Sequence, residues 1–286
     1  MENRTNPLEH FLSWAKKNAR IRGVILTGSR AASRITADNL SDYDVAVFGT
    51  DFDFIKNDFW LNEFQEFWVC VHAQFHLLGV EIPTRLVIFN GELKVDFSFL
   101  PREILTQIVS RQELPDGFNI GYTILLDKDK LLIQLPAPAF KGFILRKPSE
   151  AEFERNVGEF WFEVFHVAKY LLRNDLWTAR FRDFSTKELL LQMLQWNQGS
   201  KTEWGFSPKP EGKEMKGWVD TKTWERLHSC FGSFDAGNSR AALEATLQLY
   251  REVAIETSVL LHYTYNQDLD TRISKFIEKA KTSSPH

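Results

Sequence analysis

The chain has 286 residues, enough for two modest domains or one large one. Its 43% hydrophobic and 26% charged content is that of an ordinary globular protein rather than a disordered or fibrous one. A net charge of −3 argues against a general nucleic-acid binder, which carries a basic excess, and suits a polycationic small substrate.

No apolar run approaches the length needed to span a bilayer. The stretch from Met1 to Thr5 lacks the hydrophobic region of a signal peptide. No membrane partner is therefore expected, and the expected location is cytoplasmic. The composition includes 9 Trp and 24 Phe, so large aromatic side chains must fill the cores. Cys70 and Cys230 lie far apart, with neither a disulfide framework nor zinc spacing, and read as buried free thiols in a reducing compartment.

In chain order, Leu8 to Asn18 reads as a helix, with Pro7 in its first turn and Leu8, Phe11, Leu12 and Ala15 at helical spacing. The apolar run Ile21 to Leu26 reads as a strand leading into the Gly28-Ser29 turn. Ala31 to Leu40 is a loop or short helix, and Val45 to Phe48 is a second strand. The periodicity from Trp60 to Leu78 predicts a helix. Thr84 to Phe89 and Glu92 to Phe99 read as strands of a hairpin around Asn90-Gly91. A helix is expected from Pro101 to about Val109, and a strand over Tyr122 to Leu126.

After Pro136-Ala137-Pro138 the pattern turns helical. Ser149 and Glu152 form a capping-box signal for a helix running to about Arg173, with an apolar stripe that includes Phe153, Val157, Phe160, Trp161, Val164 and Ala168. Further helices are expected over Thr186 to Trp196, Thr221 to Phe231, Asp235 to Tyr263 and Asp270 to Ala280. Lys201 to Gly217 reads as a long loop, and Lys281 to His286 as a frayed tail.

The chemistry concentrates near the start. Asp42 and Asp44 open the second strand, and alternate strand positions project on one face. Two carboxylates so close repel unless a cation sits between them, and a hard ion such as Mg2+ takes carboxylate oxygens together with substrate phosphates. Gly28-Ser29 lets backbone N–H groups approach a phosphate. Asp96 lies on the polar face of its strand with Lys94 and Ser98. If that strand lies beside the Asp42–Asp44 strand, three carboxylates converge, the number needed to hold two metal ions in an in-line transfer to phosphorus. Each part alone has a plainer reading: Gly-Ser is usually a turn, and Asp-x-Asp a solvated strand end.

Gly28-Ser29, then Asp42-x-Asp44, then Asp96 on a later strand resembles the DNA-polymerase-beta-like nucleotidyltransferases. The segments Arg22 to Arg30, Ser41 to Val45, Lys94 to Pro101, Glu159-Phe160-Trp161, Val167 to Arg173, Tyr250 to Val253 and Leu260 to Tyr265 are similar to the aminoglycoside 6-adenylyltransferases, which modify streptomycin. The resemblance covers nearly the whole chain, and its carboxy-terminal segments single out this family.

The fold expected from residues and resemblance together is α+β. A nucleotidyltransferase domain over residues 1–145, with a mixed β-sheet flanked by helices, precedes an all-α helical bundle over residues 146–286. The implied reaction moves AMP from ATP to the 6-hydroxyl of streptomycin, with two Mg2+ ions, and confers antibiotic resistance. The implied partners are ATP and an aminoglycoside, and a monomer is expected.

In that reading Asp42 and Asp44 hold metal, and Asp96 is a metal ligand, the base for the hydroxyl proton, or both. Gly28, Ser29 and Arg30 bind nucleotide, and Arg34 is a further candidate. Lys169 and Arg173, four apart on one helix face, are candidates for the triphosphate against the alternative of a surface charge pair. Glu159 and Glu163, with Asp175 and Asp183, are candidates for an acidic wall that recognises a cationic acceptor; the alternative is a solvated helix face. Trp161 joins the substrate list, although it and Trp196 also read as core. His72, His166 and His262 show no ligand spacing and read as structural. The alternatives are the same chemistry on another aminoglycoside, a lincosamide or a protein hydroxyl, and a non-catalytic nucleotide-binding module.

Overall fold

The computed structural model describes residues 7–32 and 37–282. Arg34, part of the loop expected over 31–40, and most of the tail after Lys281 fall outside the described residues. The chain forms two compact units, Met1–Lys141 and Gly142–His286.

The first unit is built on a mixed sheet of six strands, β1 (Ile21–Thr27), β2 (Tyr43–Gly49), β3 (Phe67–Leu77), β4 (Val80–Phe89), β5 (Leu93–Pro101) and β6 (Thr123–Asp127), in the order β3-β4-β5-β2-β1-β6. β2 and β5 run parallel and every other pair antiparallel. Helix α1 (Pro7–Lys17) contributes Leu8, Phe11 and Ala15 to the core on one face, with Val45, Val47, Val95, Phe97 and Phe99. Aromatic rings dominate this face: Phe11 meets Phe64 edge-on at 5.5 Å, and Trp60 meets Phe97 and Phe99, each at 5.6 Å. On the other face Ile25, Ala46, Phe48 and Leu100 pack under α2 (Arg102–Arg111) and a short turn of helix, α3 (Asp116–Asn119). Alternation along β2 and β5 therefore sends Asp44 and Asp96 toward the α2 side of the sheet.

The helix expected over Trp60 to Leu78 is not there. A 3-10 turn at Phe59–Glu63 occupies its start, and from Phe67 the chain is β3, an edge strand whose Trp68, Val71 and Phe75 are exposed rather than forming a buried helix stripe. These residues mimic helical spacing, but β-branched and aromatic side chains favour an extended ribbon. β3 joins β4 through Leu78-Gly79, both at positive φ (50° and 81°), the conformation of a tight two-residue hairpin turn. Leu78 is an atypical turn residue and Pro83 sits inside β4, and both features disguise the hairpin in the sequence. A hairpin forms at Asn90-Gly91, but with a three-residue loop: Phe89 stands opposite Leu93, and Glu92, expected as the first strand residue, sits in the turn at φ 69°.

The second unit is helical: α4 (Glu150–Leu172), α5 (Leu176–Lys201), α6 (Thr221–Ser229), α7 (Ala236–Leu261) and α8 (Gln267–Thr282). The Ser149–Glu152 capping box is present at the start of α4. α5 begins ten residues before the expected Thr186. Asp175 caps it by accepting from the Thr178 N–H, while Trp177, Phe181 and Phe184 are exposed, so its first turns carry no clear apolar stripe to read. α4, α5 and α7 share a core that includes Phe153, Phe160, Met193 and Tyr250. The Phe160 and Tyr250 rings stack there, and Tyr250 donates to Asn156 Oδ1 at 2.6 Å. Among the described residues no helix is long and apolar enough to cross a membrane.

Candidate active site

The parallel ladder between β2 and β5 sets Asp44 directly beside Asp96. Asp42 lies one residue before β2 and reaches the same place through Lys94, whose ammonium donates to Asp42 Oδ2 at 2.6 Å and Asp96 Oδ2 at 2.8 Å. The three acids thus converge, and Lys94, from the same strand as Asp96, lies between two of them. Burial works against the Lys94 ammonium, yet its two carboxylate bonds outweigh that and hold its titration above the ordinary lysine range.

Asp44 has no such partner. Burial pushes its carboxyl up, the Asp96 charge pushes it further, Lys94 pulls it back, and Asp42 adds a smaller upward push. Asp96 Oδ1 is buried with no hydrogen-bond partner among the described residues. An uncompensated carboxylate beside an orphaned carboxylate oxygen is the donor set a hard divalent cation fits.

Gly28 completes the cradle. It sits at φ +68°, in the left-handed region, and a Cβ built on it would fall 1.9 Å from Asp44 Oδ2. Only glycine meets both demands. The Ser29 hydroxyl has no partner among the described residues. Thr27 Oγ1 donates to the Asp44 carbonyl at 3.3 Å, tying the end of β1 to the start of β2. Asp44 and Asp96 open onto a cavity of about 330 Å³ whose walls include Phe75, Leu77, Phe118 and Ile120.

Arg30, expected to bind nucleotide, has most of its donors engaged elsewhere. Its guanidinium donates to the carbonyls of Ser41 (2.7 and 2.9 Å) and Asp38 (3.2 Å), and lies 4.0 Å over the Tyr43 ring. It braces the loop that delivers Asp42.

The remaining expected residues lie in the helical unit. Lys169 and Arg173 stand one turn apart at the end of α4, flank the Tyr170 ring at 5.4 and 5.9 Å, and have no carboxylate partner among the described residues. Glu159 and Glu163 line a cleft of about 500 Å³ between α4 and α5, together with Phe162, Ser185 and Glu188. Glu159 is exposed, and Glu163 pairs with Arg182 at 3.1 Å. Asp175 and Asp183 do not join this wall. Asp175 caps α5, and Asp183 is buried against Lys187 at 2.6 Å. Glu188 takes their place; it lies inside the helix expected from Thr186, but nothing in the sequence says which face of that helix meets α4.

Trp161 is a correction. It is fully buried, and its N–H donates to the Tyr265 hydroxyl at 3.1 Å, which in turn donates to Asp270. No edge of its ring is left for a substrate, so it serves the core.

A family model described as streptomycin adenylyltransferase matches residues 1–280. An aminoglycoside 6-adenylyltransferase from Campylobacter jejuni is 31% identical over 276 residues, covering 94% of this chain and 93% of its own. Its counterpart from Bacillus subtilis (strain 168) is 29% identical over 288 aligned positions, covering 97% and 98%. A solved structure of an aminoglycoside 6-adenyltransferase from Bacillus subtilis covers 96% of this chain and 97% of its own, at 25% identity and a TM-score of 0.47.

Proposed function

This chain belongs to the streptomycin adenylyltransferase family, and on that premise we propose that it transfers AMP from ATP to a hydroxyl of an aminoglycoside, streptomycin at its 6-hydroxyl being the acceptor the family points to, with resistance to that drug as the result. The observation that supports this most is the meeting of Asp42, Asp44 and Asp96 around one cradle, with Asp44 and Asp96 Oδ1 lacking a direct partner among the described residues. Asp42, Asp44 and Asp96 are the residues that would hold Mg2+, two ions in the fullest case. When bound, the metal neutralises the triphosphate and raises the electrophilicity of the α-phosphorus.

The residues themselves do the following. The Gly28 turn keeps the chain clear of Asp44, and the Ser29 hydroxyl donates to a phosphate oxygen. Asp96 accepts the proton of the attacking hydroxyl, holds metal, or does both. The acceptor oxygen bonds to the α-phosphorus, the bond to the bridging oxygen breaks, and pyrophosphate leaves. Lys94 must release Asp42 and Asp96 for that state. The apolar wall of Phe75 and Phe118 offers the adenine ring a dry face. Lys169 and Arg173, without a carboxylate partner among the described residues, carry positive charge suited to phosphate oxygens. Glu159, Glu163 and Glu188 accept from amino or guanidinium groups of the acceptor.

Two outcomes are expected. Pyrophosphate release from ATP and Mg2+, measured across a panel of aminoglycosides and a lincosamide, will be fastest with streptomycin. Release with none of the panel, by a folded protein, would overturn the assignment. Gly28→Ala will leave the fold in place and lower the transfer rate by about a hundredfold, because an ångström of displacement at a reacting centre costs that much. Circular dichroism and the same assay check both halves, and a full rate in Gly28→Ala would show that the cradle is not needed.

A further inference from the structure

On the α1 face of the sheet, away from the three acids, a second cluster stands unused by the reaction. Cys70 and His72 occupy alternate positions of β3, and Asp58 precedes the 3-10 turn that leads toward that strand. One donor atom from each of Asp58, Cys70 and His72 lies within 4.8 Å of the others. His72 Nε2 stands 2.9 and 3.0 Å from the two Asp58 oxygens.

The charged group that faces the cluster is Arg85 of β4, paired across the ladder with His72. Arg85 is only 7% exposed, and its guanidinium is held by the carbonyls of Thr84 (3.1 Å) and Ile55 (2.7 Å). Its Nε has no hydrogen-bond partner among the described residues and sits 3.5 Å from Asp58 Oδ1. A buried cation thus stands within ion-pair reach of the Asp58 carboxylate. Cys70 packs against the same core as Val87 and Val95, so its sulfur is anchored, while His72 is exposed and leaves an open path for an ion.

We infer that Asp58, Cys70 and His72 form a binding site for a divalent transition-metal ion of the zinc type. Sulfur, imidazole nitrogen and carboxylate oxygen are the three ligand chemistries zinc accepts, at about 2.0–2.3 Å, and three protein ligands leave a fourth position to water. A hard ion such as Mg2+ prefers an all-oxygen shell, so the mixed donor set discriminates against the ion proposed for the acids. On binding, the Cys70 thiol gives its proton to solvent and the sulfur becomes the ligand. The site ties the 3-10 segment to an otherwise exposed edge strand. The sequence conceals it because Cys-x-His on a strand, completed by a distant Asp, matches no familiar zinc spacing.

Cobalt(II) titrated into the full-length, metal-stripped protein tests the inference. One equivalent should produce sulfur-to-cobalt charge-transfer absorption in the near ultraviolet, displaced by zinc. Cys70→Ser should abolish the band. His72→Ala, a change at an exposed position, should weaken cobalt affinity at least about tenfold, the lower end of what loss of even an outer partner costs. Asp44→Asn should leave the band unchanged. A folded wild-type protein without the band would overturn the site. So would a band that persists in Cys70→Ser or vanishes in Asp44→Asn, or equal cobalt affinity in His72→Ala.

Discussion

Asp44→Asn is expected to lower adenylyl transfer by at least about a hundredfold while making the metal-free protein more stable. The rate loss follows from removing a carboxylate at the point where charge on the triphosphate must be neutralised, a contribution of several kcal/mol. The stability gain follows from the sign of the Asp44 shift. Its folded carboxyl titrates above its ordinary value, mainly because of burial and then because of Asp96. A group of that kind costs the fold nothing in acid. It costs progressively more as pH climbs from the unfolded carboxyl value, about 4, through the raised folded one, because the unfolded chain ionises first. Asparagine keeps the shape and removes the charge, so the loss on raising pH should be smaller in the variant. Thermal melts in EDTA, run from acid to neutral pH beside the transfer assay, check both effects. Mg2+ should raise the melting temperature of the wild type more than that of Asp44→Asn. Near-normal turnover of the variant at saturating Mg2+ would remove Asp44 from the mechanism.

Asp96→Asn is expected to separate binding from chemistry. ATP with Mg2+ should still bind, because Asp42 and Asp44 remain. Transfer should fall by about 10²–10⁴, the span assigned to a positioned proton acceptor. Lys94 adds a secondary effect: with one of its two carboxylate partners neutralised, its ammonium should settle on Asp42. Isothermal titration with ATP and Mg2+ beside pyrophosphate release tests the separation. If binding and turnover both survive, Asp96 is only a polar strand position. If binding also collapses, its role is to hold metal rather than to take the proton.

The acid cluster is legible because strand alternation is a local rule. The polar–apolar alternation of β5 puts Asp96 on the face opposite the core residues Val95 and Phe97, although the turn takes one residue more than Asn90-Gly91 suggests. The lysine between the acids was not legible, because nothing in Lys94-Val95-Asp96 says where a long flexible side chain comes to rest. The resting place of the Arg30 side chain is not legible for a related reason. A guanidinium after a glycine turn suits a phosphate, yet here the Asp38–Ser41 loop offers carbonyls within reach. In β3 the periodicity itself misleads, since no residue of this edge strand is fully buried and the half-buried ones, Phe67, Cys70, Ala73 and Leu77, recur every three or four positions. In α4 the capping box and the apolar stripe agreed, and the helix formed over nearly the residues expected. Trp161 lies on that stripe, and its burial follows from the same pattern.

The central proposal is that the three acids move an intact adenylyl group onto an aminoglycoside hydroxyl. Mass spectrometry of streptomycin incubated with the enzyme, ATP and Mg2+ tests it most directly. The expected product is streptomycin carrying one AMP, formed together with pyrophosphate and absent when Asp44→Asn replaces the wild type. Streptomycin carrying a single phosphate, or recovered unchanged from a folded enzyme, would contradict it.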